Sequence, residues 1–351
     1  MLATRRLPVD VRIGLIGSGF MARTYAQCIA RHTTGVTLAG VTGGSRAAAL
    51  AADYGVSLDA GVASMLARPD VDAVLLATPH STHLALTEAA AAAGKHVYVE
   101  KPMGRTVAEC DAMIAACEAA GVVLTVNKVT RFRASPRHAK AIVDGGGIGE
   151  LRMLQVRSTV TAYLGDGDDW TKDPAEGGAW LDMGAHLCDA TRWFTGSEVA
   201  TVFGTVGDFD PRPGVDLLRS ASVQLLLANG VRVQILMSLQ LPEPGLGSQS
   251  QWTFIGSTGI VECDAYGLVR HGDADGWRDV YEMPAFAKDS DVLSPVRLAA
   301  FAEQVQDFAD AMREGRAPAV TGADGRAAIA IVEAALASSA TGRSVELSPA
   351  G

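Results

Sequence analysis

No aspartate or glutamate occurs from residue 11 to residue 52, although the 351-residue chain carries 39 acidic residues against 30 lysines and arginines. Basic runs are missing as well. With a net charge of -9 and no stripe of lysine or arginine, the chain offers no footprint for a nucleic-acid backbone. The cysteines are few: Cys28, Cys110, Cys117, Cys188 and Cys263 are odd in number and form no CxxC pair. A disulfide framework and a thiolate zinc site are both disfavoured, and a reducing cytoplasm fits. Cys188 reads as a buried free thiol. No apolar run is long enough to span a membrane; residues 84–94, LALTEAAAAAG, are short and carry Glu88. Arg5-Arg6 precede no apolar segment, so the first ten residues read as a short disordered arm rather than an export signal.

Hydrophobic residues make up 48% of the chain, which therefore folds, and its length argues for two domains. Up to about residue 127, short apolar runs alternate with helices: VRIGLIG at 11–17, VTLAGVT at 36–42, DAVLLATP at 72–79, HVYVE at 96–100 and VVLTVN at 122–127. That rhythm predicts βαβ units and a parallel sheet. Beyond residue 150 strands follow one another directly. Residues 222–239 turn at Ala228-Asn229-Gly230, and residues 251–264 turn around Gly256 and Gly259, so an antiparallel sheet follows. Two amphipathic helices, 297–315 and 322–342, could each cover one face of it. The boundary lies near residues 130–150, with KAIVDGGGIGEL as the most loop-like stretch. The fold class is α/β. Residues 1–130 form a dinucleotide-binding domain, and residues 131–351 form an α+β domain with an open, mostly antiparallel sheet. Apolar residues on both faces of its strands, at 225–227 and 235–237, predict a homodimer or homotetramer.

Gly17-Ser18-Gly19-Phe20-Met21-Ala22 fits G-x-G-x-x-A between a strand and a helix. Gly17 permits the tight turn, Gly19 lets a pyrophosphate approach the backbone, and Ala22 lets helix and strand pack. Gly17, Gly19, Phe20 and Met21 are candidate cofactor contacts. NAD sites usually place an acid about 20 residues on, at the end of the second strand. Here that strand ends Thr42-Gly43-Gly44-Ser45-Arg46. Ser45 and Arg46 suit a 2′-phosphate, so NADP is the preferred cofactor and NAD the alternative. Arg46 as a merely solvated residue is the other reading.

Lys101 ends the apolar run at 96–100, where a parallel strand faces a ligand crevice. Asp182 and His186 stand four residues apart, on one face if a helix begins there, within the glycines 177, 178 and 184. Lysine, histidine and carboxylate brought to one cleft form a proton-transfer set. A metal is not expected, since H-x-x-D at His186 and Asp189 supplies too few ligands. Tyr163 and Trp170, near Asp169 and Lys172, are candidate contacts to sugar hydroxyls and equally ordinary packing aromatics.

With GSGFMA at 17–22, ATPHSTH at 77–83, GKHVYVEKP at 94–102, Arg131-Phe132, GGIGEL at 146–151 and GGAWLDMGAHLCD at 177–189, the chain resembles the glucose–fructose oxidoreductase / inositol dehydrogenase / MocA-like family over nearly its whole length. The resemblance implies an N-terminal Rossmann domain and a C-terminal domain whose open sheets pair in oligomers. It implies that Lys101, Asp182 and His186 are catalytic and meet the substrate, and that Thr78, Pro79, His83, Glu100 and Lys101 lie near the cofactor. Ala179 replaces a usual glycine, and His80 stands where members often carry Asn. The expected activity is NAD(P)-dependent hydride transfer on a secondary hydroxyl or ketone of a sugar, cyclitol or sugar derivative. His186 is read as the proton acceptor, with Lys101 as its internal rival. A dinucleotide-sensing regulator without catalysis, or a reductase of a non-sugar aldehyde or imine, are the alternatives.

Overall fold

Strands flanked on both faces by helices must be apolar on both sides, and the first strands of the chain are. In the computed structural model, which describes residues 10–161, 173–209, 217–246, 249–286 and 292–347, they are β1 (Val11–Ile16), β2 (Val36–Thr42), β3 (Ser57–Leu58), β4 (Ala73–Leu76), β5 (His96–Val99) and β6 (Leu124–Val126). Between them run α1 (Phe20–His32), α2 (Ala47–Tyr54), α3 (Val62–Leu66), α4 (His83–Ala92) and α5 (Val107–Ala120). All pair in parallel in the order β3-β2-β1-β4-β5-β6. The order reverses between β1 and β4. Outside the carboxyl ends of the strands at this switch point lies the crevice where such sheets take ligands.

Two units are separable by their internal contacts. One runs to Val129 and includes Phe286–Arg326; the other is Thr130–Ala285 with the residues from Ala327. The second unit holds α6 (Ala134–Asp144), β7 (Leu151–Thr161), α7 (Gly178–Thr195), β8 (Val199–Gly207), β9 (Ser220–Leu227), β10 (Arg232–Leu241), β11 (Ser250–Gly256), β12 (Ile260–Asp264), β13 (Leu268–Asp273) and β14 (Gly276–Glu282). After these come α8 (Pro295–Glu314), α9 (Gly322–Thr341) and β15 (Val345–Glu346). The nine-stranded sheet has the order β14-β13-β12-β11-β7-β10-β9-β8-β15, antiparallel except for β7 beside β10. The Asn229-Gly230 turn joins β9 to β10, with Gly230 at φ 85°. The loop expected at 140–151 is partly helix: residues 140–144 complete α6, whose Ser135, Pro136 and Ala139 are buried.

Side chains alternate between buried and exposed from Ala221 to Leu227 on β9 and from Arg232 to Met237 on β10. Val223, Leu225, Leu227, Val233, Ile235 and Met237 are buried under α7, which packs on β7, β9 and β10. α6 covers β12 to β14. The opposite face keeps Phe203, Leu226 and Leu236 exposed at 45%, 42% and 41%. The two long helices do not both cover this sheet. α8 belongs to the first unit and packs on α1. Phe301 meets Tyr25 edge-on at 5.9 Å, and Phe308 meets Tyr98 at 5.7 Å. Its apolar stripe was legible, but a stripe does not name its partner.

Two histidines of the first unit, His83 fully buried and His96 half-buried, are held as neutral rings. Burial, then the neighbouring His80, brings His83 down to about 4. Burial brings His96 down to about 4 as well, while its Nδ1 accepts the Val123 N–H at 2.9 Å. An unfolded histidine titrates near ~6.5. Below that pH the unfolded chain binds protons that the folded chain refuses, so stability is complete above ~6.5 and falls as pH drops toward about 4. The urea midpoint should therefore decrease between pH 7 and pH 5, and less steeply in His96→Asn, which keeps an acceptor. Equal slopes for the two proteins would contradict this.

Candidate active site

Gly17 follows β1 with φ 116°, and a Cβ there would lie 2.2 Å from the Ala77 carbonyl oxygen. Only glycine fits, and the chain turns tightly against the end of β4. Gly19 is the N-cap of α1 and has no side chain to bond the first-turn amides; no acidic residue lies in that turn. A helix start with open amides and no competing carboxylate suits a pyrophosphate. The residues present thus fit a dinucleotide. Beyond β2, Gly43 and Gly44 have φ 81° and 80°. A Cβ at Gly44 would strike Ser18 Oγ at 2.4 Å, and that oxygen accepts the Arg46 N–H at 3.1 Å. Arg46 is exposed and its guanidinium passes 3.9 Å from the position of a Cβ on Gly19. Ser45 is exposed beside it. Gly17, Gly19, Phe20, Met21, Ser45 and Arg46 therefore gather at one edge of the switch point.

The other candidates of this unit follow β4 and β5. Thr78 Oγ1 accepts from Thr82 Oγ1 at 2.7 Å, and Pro79 precedes the short turn leading into α4. His83 is fully buried. Its Nδ1 lies 3.0 Å from the Pro102 carbonyl and its Nε2 3.1 Å from the Thr78 carbonyl. A neutral ring donates to one of these carbonyls only, and it is packed between the loop after β4 and the turn after Lys101 rather than facing outward. Glu100 is 5% exposed and accepts from Tyr25 Oη at 2.5 Å, from Asn127 Nδ2 at 3.0 Å and from the Lys101 N–H at 2.8 Å. Burial, with Glu100 next to it, holds the Tyr25 phenol well above its usual range. Glu100 therefore fixes the backbone of half-buried Lys101 at the carboxyl end of β5. Tyr25 and Asn127 are supports that sequence reasoning missed, because neither sits in a motif.

The second unit carries Asp182 and His186 on α7, as their spacing required. Every residue of this helix from 178 to 191 is buried except Asp182, Met183 and His186, which are half-buried. The two candidates thus occupy the accessible stripe of this otherwise buried stretch of helix, with His186 Nδ1 turned inward. The surrounding glycines serve the protein's own packing. A Cβ at Gly178 would lie 2.7 Å from the Leu217 carbonyl oxygen, and one at Gly184 would lie 2.9 Å from the Trp180 ring. Trp180 is completely buried and donates Nε1–H to the Val332 carbonyl at 3.2 Å. Asp189, three residues beyond His186, takes both prongs of Arg131 at 2.6 and 3.0 Å. The H-x-x-D spacing therefore marks an ion pair anchoring the helix. Tyr163 and Trp170 lie outside the described residues.

Comparison with known proteins agrees with the fold. Residues 11–128 match the family model described as oxidoreductase family, NAD-binding Rossmann fold, and residues 137–262 match the GFO/IDH/MocA C-terminal domain. The chain is 28% identical to an inositol 2-dehydrogenase of Rhizobium meliloti over 97% of its own length and 100% of that protein. It is 30% identical to a dTDP-3,4-didehydro-2,6-dideoxy-alpha-D-glucose 3-reductase of Streptomyces violaceoruber over 72% of each. The crystal structure of an aldose-aldose oxidoreductase from Caulobacter crescentus, complexed with glycerol, superposes with a TM-score of 0.83 at 27% identity, covering 96% of this chain and 100% of that one. No described helix is long and apolar enough to cross a membrane. Two domain models in register with two observed units leave one conclusion: the chain belongs to the GFO/IDH/MocA family of NAD-binding oxidoreductases.

Proposed function

We propose that the protein oxidises a secondary hydroxyl, or reduces the corresponding ketone, of a sugar, cyclitol or sugar derivative. The observation that carries this reading is the accessible Asp182–His186 stripe on a stretch of helix, residues 178–191, that is otherwise buried. Its support from relatives is that those similar over most of their length act on inositol and on a deoxysugar nucleotide. A dinucleotide held through its pyrophosphate at the Gly17–Met21 turn would supply the hydride chemistry. The chain's own residues handle the proton and the charge. His186 takes the hydroxyl proton in oxidation and returns it in reduction. Asp182, one turn away, orients the imidazole and stabilises its protonated form. Lys101 hydrogen-bonds the substrate oxygen and stabilises negative charge as it develops there. Glu100 and His83 act at one remove, by fixing the Lys101 turn.

Substitution separates the reacting groups from the cofactor contacts. Lys101→Ala should lower kcat by about 10²–10⁴ while cofactor binding stays close to wild type; a loss under about tenfold would contradict the role. NADP is proposed as the preferred cofactor, on the absence of an acid after β2 and on Arg46 beside the glycine turn. A charge-assisted contact of this kind is worth roughly ten- to a hundredfold in affinity. Arg46→Ala should weaken NADP by that factor and spare NAD. Equal losses on titrating both cofactors would mean that Arg46 serves the shared adenosine instead.

We also read the protein as a homodimer or homotetramer that covers the open sheet face. Phe203, Leu226 and Leu236 lie outward there among Gln155, Gln224 and Gln234, a mixture of apolar and hydrogen-bonding groups suited to a self-complementary interface. Light scattering at micromolar concentration should give at least twice the 36.5 kDa chain mass; a monomer would refute it.

A further inference from the structure

Arg297, at the start of α8, reaches a part of the fold that is remote in sequence. Its Nη1 donates to Thr24 Oγ1 at 3.1 Å and to the Val292 carbonyl at 2.7 Å, and its Nη2 lies 4.0 Å from Met21 Sδ. The guanidinium carbon stands 4.9 Å from the centre of the Phe20 ring and 5.0 Å from that of Phe301. One side chain from α8 thus holds Phe20, Met21 and Thr24, which make up the beginning of α1.

Phe20 is the residue that needs holding. It is 52% exposed and directly follows Gly19, the N-cap of α1. Water would not keep an exposed phenyl ring in one place, but a guanidinium between two aromatic faces does. Phe20 is the first residue of α1 and carries one of its first-turn amides. No acidic residue lies in the first turn of α1, and the cation stands beside the positive end of that helix.

We propose that Arg297 is a positioning residue of the dinucleotide site. It draws Phe20 against α8, keeps the first-turn amides of α1 open to the pyrophosphate, and adds positive potential there. The proposal rests on dinucleotide binding at the Gly17–Met21 turn, and the test separates the two.

ADP-ribose and NADH are titrated calorimetrically into wild type, Arg297→Gln, Arg297→Lys and Phe20→Leu at low and high salt. Arg297→Gln should weaken both ligands by about tenfold at low salt, the scale of one charge-assisted contact, with a flatter salt dependence than wild type. Arg297→Lys should keep the salt dependence but bind more weakly, because an ammonium cannot stack between Phe20 and Phe301 as a planar guanidinium does. Phe20→Leu should weaken ADP-ribose in the same direction, which keeps the proposal testable even if Arg297→Gln does not fold. A purely structural role would lower the melting temperature and leave the salt slope unchanged. The proposal is overturned if Arg297→Gln binds ADP-ribose within twofold of wild type, or, should that variant be insoluble, if Phe20→Leu does. A wild-type chain that binds neither ligand overturns dinucleotide binding at this turn, and the proposal with it.

Discussion

A carboxylate removed from water must be satisfied by donors, and at Glu100 that requirement organises the chemical end of the first unit. Burying a charged group without partners costs several kcal/mol, on the order of what one domain has to spare. Glu100 meets the condition with Tyr25 from α1, Asn127 from the segment after β6 and the backbone N–H of Lys101. None of these can move without leaving the carboxylate short of a donor. The strand ends, the start of α1 and the lysine are therefore fixed relative to one another by one group. His83 packs against the same turn from its other side, within reach of the Pro102 and Thr78 carbonyls.

The second unit uses a comparable device. α7 is held at its start by close backbone approach, where the Ala179 N–H donates to the Leu217 carbonyl at 2.7 Å. Farther along it is held by the buried pair Arg131–Asp189. Removing one member of such a pair costs more than the pair contributes, because the remaining charge stays buried. The half-buried stripe of Asp182, Met183 and His186 thus lies on a stretch of helix, residues 178–191, that is otherwise buried. Side chains positioned in this way lose little entropy when they engage a ligand, which suits the proton transfer proposed for them.

Local patterns made much of this readable in the chain. The βα alternation, the Asn229-Gly230 hairpin and the glycine turn at 17–22 depend on neighbours a few residues apart. Asp182 and His186 needed only the helical period. What escaped was long-range or unpatterned. β14, GWRDVYE, is exposed along nearly its whole length, so no alternation betrays it. α6 interrupts its helical stripe with Pro136 and polar residues, which made its second half look like a loop. Glu100 was legible as a residue of the site, but not its direction, since three donors from separate elements decide it. Arg297 left no local mark at all, because its partners Phe20 and Thr24 lie at the other end of the chain.

The excursion of α8 has a consequence for how the protein is made. Cys28 and the Leu298 carbonyl, 270 residues apart, are neighbours in the same unit. When β6 leaves the ribosome, the nucleotide-binding unit has its sheet but lacks the helix that covers Tyr25 and Tyr98. Its aromatic face stays open until most of the remaining chain has been synthesised. Domains that emerge whole fold during translation, whereas one closed by a late segment waits with apolar surface exposed. Completion of the first unit is thereby coupled to synthesis of the second, and a truncated chain would present an adhesive, unfinished sheet rather than a small working domain.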